Sequence, residues 1–274
     1  MTAPTPAPAR DLRTLVRRRA LQGLAVLFFV MLAGVTYQGI ASALERERLP
    51  HPGHLVDVGG HQLHISCTGE GGPTVVLEAD AGMPSATWGA VQPALSSLAR
   101  TCSYDRAGLG WSETGDRAFE VPRVARELQT LLTNAGERPP FVLVGRRTGA
   151  AFVTVFAAAY PQQAAALVLV DSAGTQRRTP RLTRAAPWLA RVGILRLVRR
   201  GNAAADGLPD RAGAAVRTFL YRPDHLSRAA QEFAREGEAM RLAADAQPAA
   251  PRAEVTDETA AIVEAVSSMI AAIR

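Results

Sequence analysis

At 274 residues with 47% apolar content, the chain can build one large core, or a core with a small second lobe, and disorder of the whole chain is excluded. The net charge is +6, yet every one of the 31 basic residues is arginine and aromatics make up only 5%. No basic run is interleaved with aromatics, so no nucleic-acid partner is expected.

Residues 1–19 read as a basic tail in which Arg10, Arg13, Arg17, Arg18 and Arg19 face only Asp11. Residues 20–44 hold no charged side chain, which is long enough to cross a bilayer with some tilt. The arginines before this run predict a cytoplasmic tail, with the following domain periplasmic or extracellular. A cleaved signal peptide is the alternative, since Ala41, Ser42 and Ala43 form a small-x-small site. Both readings place the core outside the cytoplasm.

Residues 45–53 read as a linker. Alternating residues around Gly59 and Gly60 predict a hairpin over 54–58 and 61–67. The apolar run 74–78 predicts a strand buried on both faces. Trp88, Val91, Ala94, Leu95 and Leu98 recur at helical spacing, and 100–106 reads as a strand. A helix is expected over 121–135, stopped by Gly136. The next stretch, FVLVGRRTGA over 141–150, is a short strand, a tight turn bracketed by Gly145 and Gly149, and the start of an apolar helix. That is the frame of a nucleophile elbow, whose centre should be serine in the G-x-S-x-G form; here it is Arg147. Residues 165–171 predict another buried strand. The order strand, helix, strand is that of an α/β protein with a mostly parallel sheet.

From 174 to 247 the pattern becomes helical, interrupted by Pro180, Pro187, Gly193, Gly201, Pro209 and Pro223, and reads as a cap. Within it, 187–200 is basic and amphipathic, suited either to a membrane surface or to arginine stems lying over the cap's own core. A linker and a last helix from about Asp257 complete the chain over 248–274. The expected units are therefore a tail (1–19), an anchor (20–44), a core (45–173), a cap (174–247), and a linker with the final helix (248–274).

The stretches VDVGGHQLHISCTGEGGPTVVLEA, AVQPALSSLARTCSYDRAGLGWS, LVGRRTGA and AALVLVDSA, within residues 54–173, resemble the α/β-hydrolase fold family in its exported, membrane-anchored branch. The resemblance implies a sheet of about six strands here, with the family's last two strands missing. It implies hydrolysis of ester or amide bonds by Ser, His and an acid, without cofactor or metal. It maps the nucleophile onto Arg147, which cannot attack a carbonyl, and the base onto Arg252. The five histidines are His51, His54, His61, His64 and His225, none of them after 225, and His225 reads as a surface or helix-start residue. Backbone N–H groups of Thr148 and the Ala81, Gly82 and Met83 loop are implied as the oxyanion hole, where Asp80 would oppose a developing negative charge. Asp80 is expected either to pair with Arg146 or Arg147 or to face solvent. Thr148 as a displaced nucleophile lacks an evident base. Asp105 and Arg106 are expected to organise a loop. The implied strand order sets Cys67 beside Cys102, as a disulfide or as two buried thiols.

The expected function is a membrane-anchored hydrolase-fold protein that has lost catalysis and serves as a binding or scaffold module, or is a decaying paralogue. An anionic small molecule or an acidic partner is the ligand expected of it. The alternatives are an active hydrolase with unrecognised residues, and an envelope interaction protein using its basic cap.

Overall fold

A computed structural model of the chain describes residues 12–172, 182–197 and 203–273. Helix α1 (Leu12–Arg48) comes first. Within its segment Thr14–Glu45 an 18-residue window has a mean hydropathy of 2.0, and the helix is long and apolar enough to cross a membrane. Its apolar side chains are mostly exposed, unlike those of a helix in a protein core.

Glycines at 59 and 60, with φ of 98° and 105°, let the chain reverse between β1 (His54–Asp57) and β2 (Gln62–Thr68). The continuous apolar run becomes β3 (Thr74–Glu78), buried throughout. A 3-10 turn (Ser85–Trp88) and α2 (Val91–Ser96) lead to β4 (Thr101–Tyr104). Next come α3 (Val121–Asn134), β5 (Phe141–Arg146), α4 (Thr148–Ala159) and β6 (Ala164–Val170). The cap holds α5 (Leu182–Arg191), α6 (Ile194–Leu197), α7 (Asp210–Phe219), α8 (Pro223–Ala234) and α9 (Glu236–Ala246). Strand β7 (Arg252–Val255) and helix α10 (Thr259–Ile273) follow.

The sheet order is β1-β2-β4-β3-β5-β6-β7. The two pairs involving β2 are antiparallel and the other four are parallel. Side chains alternate across it with the strand period of two. Val76 and Leu143 face α3 and α4, with Leu131 and Phe156, in one apolar layer. Val75, Leu77, Val142 and Val144 face α2 and α10, with Leu95, Ile262 and Val266, in the other. All parallel strands run the same way, so their C-terminal ends gather under the cap.

The mostly parallel sheet flanked by helices is as expected, with seven strands. One of the two strands thought missing is present as β7. Its sequence RAEV carries no apolar run because it lies at an edge, with its residues exposed or half-buried. Its backbone pairing with Leu167, Val168, Leu169 and Val170 holds it, so β6 is not an exposed edge. Arg252 therefore starts an edge strand instead of lying in the loop before the last helix. Pro187 sits inside α5 and does not break it. Pro209 and Pro223 do mark helix starts, at the N-cap of α7 and the first residue of α8, while Pro180 and Gly201 lie outside the described residues.

Cys67 and Cys102 are register partners on β2 and β4, and their sulfurs are bonded. Glu137 lies near both sulfurs but is held by Arg100 at 2.7 Å.

Candidate functional site

The elbow is built by close backbone approach. A Cβ on Gly145 would sit 2.5 Å from Gly149 O, and one on Gly149 would sit 2.6 Å from Ala79 O. Only glycine allows the strand to turn into α4 while β3 passes this near. Arg147, at the turn, has φ 51° and ψ −113°, a backbone strained for a residue with a side chain. Its N–H donates to Val170 O at 2.8 Å, fixing the turn to the end of β6.

The two elbow arginines diverge. Arg147 leaves the turn half exposed, with its guanidinium 3.7 Å from Asp171, which follows β6 and also has a positive φ of 48°. Arg146 folds the other way, with its guanidinium 4.1 Å from the centre of the Trp88 ring. Its Nε lies 2.8 Å from Asp257 Oδ1, in the loop between β7 and α10. This is an ion contact in which the N–H does not point at the oxygen, since Nε has no hydrogen-bond acceptor. Burial lowers the pKa of Arg146, opposed by the charges of Asp257 and Asp80. Burial also raises the pKa of Asp257, with Arg146 opposing.

The anion seat of the elbow is occupied from within. Asp80 Oδ1 accepts N–H bonds from Ala81 at 2.8 Å and Thr148 at 3.3 Å. Gly82 N–H donates to Glu232 Oε2 at 2.7 Å, and Met83 N–H to Asp80 O at 3.0 Å. All four N–H groups implied for an oxyanion hole thus already hold protein oxygens. The expected pairing of Asp80 with Arg146 or Arg147 is corrected in form: Arg146 and Arg147 contact Asp257 and Asp171. Asp80 bonds the backbone, with Arg146 attracted over a longer range. A carboxylate placed beside the Ala81 and Thr148 amides gains two charge-assisted bonds there.

Thr148 Oγ1 donates to Glu236 Oε1 at 2.9 Å, so an acid does stand beside this hydroxyl. Thr148 has no exposed surface, however, and Glu236 is buried with it.

Beneath the elbow lies a buried ionic cluster. Arg106 holds Glu232 with Nε–Oε1 at 2.9 Å and Nη2–Oε2 at 2.8 Å. It also donates to Glu78, to Ala79 O and to Asp80 O, and stacks 5.0 Å from the Phe152 ring. Tyr104 OH donates to the other Glu78 oxygen. Burial pushes the Glu78 pKa up to about 7, with Arg106 and Tyr104 opposing. Asp105 accepts from Ser85 N at 2.6 Å, Trp111 N at 3.1 Å and His64 Nδ1 at 2.9 Å, which gives it the expected loop-organising role. Arg106 does more than that, since it ties cap to core.

His225 is corrected from surface to interior. It lies in the first turn of α8 but is 1% exposed. Gly110 N–H donates to its Nδ1 at 3.1 Å, and its Nε2–H donates to Gly82 O at 3.0 Å, so it is fixed as one neutral tautomer. Burial lowers its pKa. Both ring nitrogens are engaged, leaving none to serve a nucleophile.

A cleft of about 590 Å³ lies beside the elbow. Among the described residues, Asp80, Asp206 and Asp257 line it together with Arg146 and Arg147, so carboxylates stand there beside the guanidiniums. The sequence did not point to Glu232 and Glu236, because nothing local links a cap helix to a loop 150 residues earlier. Asp257 read only as the approximate start of the last helix. The positive-φ Asp171 had one usable signal, its place at the end of an apolar strand.

This architecture is the α/β-hydrolase fold. An epoxide hydrolase, CorEH, superposes with a TM-score of 0.59 at 19% identity, covering 74% of this chain and 81% of that one. An enol-lactonase from Burkholderia xenovorans superposes with a TM-score of 0.54 at 18% identity, covering 80% of this chain and 99% of that one. An uncharacterized vacuolar membrane protein of Saccharomyces cerevisiae is 28% identical over 186 residues, 57% of this chain. This chain spans only 28% of that relative's length. No family model matches the chain.

Proposed function

We propose that this is a membrane-anchored protein of the α/β-hydrolase fold whose site no longer performs hydrolysis and serves as a binding or scaffold module. The observation that carries the reading is the Asp80 carboxylate, bonded by the Ala81 and Thr148 N–H groups. A tetrahedral intermediate needs those donors free for its oxyanion. A fixed carboxylate there repels that charge. Arg147 supplies no nucleophile, and His225, the histidine nearest to this loop by its bond to Gly82, has both nitrogens engaged.

The apolar helix, and the membrane location stated for the yeast relative, support membrane association. The arginines before the span support an external core, and the Cys67–Cys102 bond suits an oxidising compartment. The ligand expected for two arginines alone would be an anion. With Asp80, Asp206 and Asp257 also in the cleft, such a ligand would have to compete with carboxylates for Arg146 and Arg147. A small molecule bearing both charges fits this lining better.

Retained hydrolysis is the second reading, favoured by the Thr148–Glu236 pair alone. Turnover by the purified full chain over a panel of esters, amides and lactones decides between them. The account predicts none above the level of a Thr148→Val variant. Turnover that this variant abolishes, with its fold intact, would make Thr148 a nucleophile and overturn the reading.

A further inference from the structure

Among the polar and small residues in the apolar span are Gly34, Gln38 and Ser42. They lie four apart, on one face of α1. In hydrocarbon an unpartnered amide costs several kcal/mol, so Gln38 calls for a partner at its own depth. The structure supplies one from the cap. Arg196 of α6 donates from Nε to Gln38 Oε1 at 2.7 Å and from Nη2 to Ser42 Oγ at 3.4 Å. The same guanidinium takes Glu45 as a fork, with Nη2–Oε2 at 2.6 Å. Gln38 is only 4% exposed, while the apolar residues on the other faces of α1 are about half exposed or more. At Gly34 the turn between α5 and α6 comes closer still. A Cβ there would lie 2.3 Å from Val192 O, and Gly193 closes against Gly34 O and the Tyr37 ring. A glycine that admits another segment's backbone is a device of helix packing inside membranes.

The depth of this contact follows from the span. About 20 residues cross the hydrocarbon. Counted from Arg19, the last charge before the span, the far boundary falls near Ile40. Gly34 then lies roughly 9 Å inside that boundary at 1.5 Å per residue. The α5–α6 turn lies against Gly34 and so is at the same depth. Beyond the turn, the Arg196 side chain of α6 reaches Gln38, Ser42 and Glu45 on α1. On the outward side of the hairpin, Trp188 is 68% exposed and Ile194 42% exposed. Arg191 stacks 5.2 Å from the Trp188 ring, a stem and head able to reach the headgroups. In sequence the hairpin is flanked by Arg177, Arg178, Arg181, Arg199 and Arg200. An exposed tryptophan stacked with an arginine, in a stretch whose sequence neighbours are arginine-rich, fits a bilayer surface.

We propose that the α5–α6 hairpin is a second membrane element, inserted alongside α1 into the leaflet where the span emerges, with Trp188 and Ile194 in contact with acyl chains. The cap would then be held on the bilayer by its own hairpin and not only tethered through the linker after α1. The proposal rests on α1 spanning the membrane.

The test uses the full chain reconstituted in vesicles of phosphatidylcholine and phosphatidylglycerol, with lipid brominated near the glycerol end of the acyl chain as quencher. The chain has three tryptophans, of which Trp88 is buried and Trp111 packs against His64 and Phe219. Bromolipid is expected to quench one component of the emission, and the Trp188→Phe chain is expected to lack that component. Flotation of both chains with the vesicles reads the anchor separately. Equal quenching of the two floating chains, or none in either, removes the hairpin proposal and leaves the anchor. A chain that does not float removes both.

Discussion

Arg106 and Arg147 frame the two halves of this site, and their surroundings are opposite. Arg106 is buried and fully committed: a fork to Glu232, a bond to Glu78 and two to backbone carbonyls. Arg147 stands half exposed with one ion contact at 3.7 Å, on a strained turn. Removing a partner from a buried ionic cluster leaves charge without compensation, whereas an exposed contact of that length contributes little. The region that still carries energy is therefore the one joining cap to core. The elbow keeps its shape because Gly145, Gly149 and the sheet impose it, not because its central side chain is needed.

The largest effect should come from Arg106→Met. It strands Glu78 and Glu232 in the interior and is expected to cost about 3–5 kcal/mol in chemical unfolding. A loss below about 1 kcal/mol would erase the contrast between the two arginines.

Replacing Cys67 and Cys102 together by alanine tests the strand pairing away from the site. The bond closes a separation of 35 residues. Its removal should cost about 2–4 kcal/mol, read by unfolding under oxidising conditions. No change would indicate that the two thiols are free in the purified protein.

The pH dependence sharpens the comparison, because it belongs to the buried half. Glu78 titrates near 7 when folded, against 4.5 as the unperturbed value. The folded chain then keeps a proton that the unfolded chain has released between those values. Its stabilising contribution is complete below about 4.5 and is lost as the pH rises through about 7, at most about 3 kcal/mol. His225 acts in reverse. Its lowered pKa adds stability that is present above about 6.5 and lost as the pH falls below it. Subtracting the unfolding curves of Glu78→Gln isolates the first slope. The wild type should lose stability relative to this variant between pH 5 and pH 8, and an opposite sign would refute the raised pKa.

The smallest effect is expected at the elbow itself. Arg147→Gly relieves a positive φ and gives up one exposed ion contact. A gain of about 1 kcal/mol is predicted. A loss of 2 kcal/mol or more would mean that Arg147 holds the site together.

Much of the frame was readable in the residues. The run TVVLE matched β3 residue for residue, and the glycines at 145 and 149 placed the turn, since apolar runs and backbone contacts are local properties. Strand β7 was not readable, because an edge strand needs only its backbone bonds and RAEV carries no apolar signature. The chemistry of the site was half readable. Arg147 stood out at the centre of the elbow where the resemblance implies serine, and Asp80 stood out as a carboxylate in the loop implied to supply donors. Its bonds to the Ala81 and Thr148 amides depend on how two loops meet. The same holds for Glu232, Glu236 and Asp257, which reach the elbow from the cap and from the loop after β7. The pairing of Gln38 and Ser42 with Arg196 is likewise a matter of tertiary contact, although their four-residue spacing on the span was visible.

Whether the elbow carries an acyl-enzyme reaction is decided by treating the intact full chain with a fluorophosphonate and mapping any adduct by mass spectrometry. No adduct on any residue is expected, with Asp80 bonded to the amides that would receive the phosphonate oxygen. A stoichiometric adduct on Thr148 would overturn the proposed loss of hydrolysis.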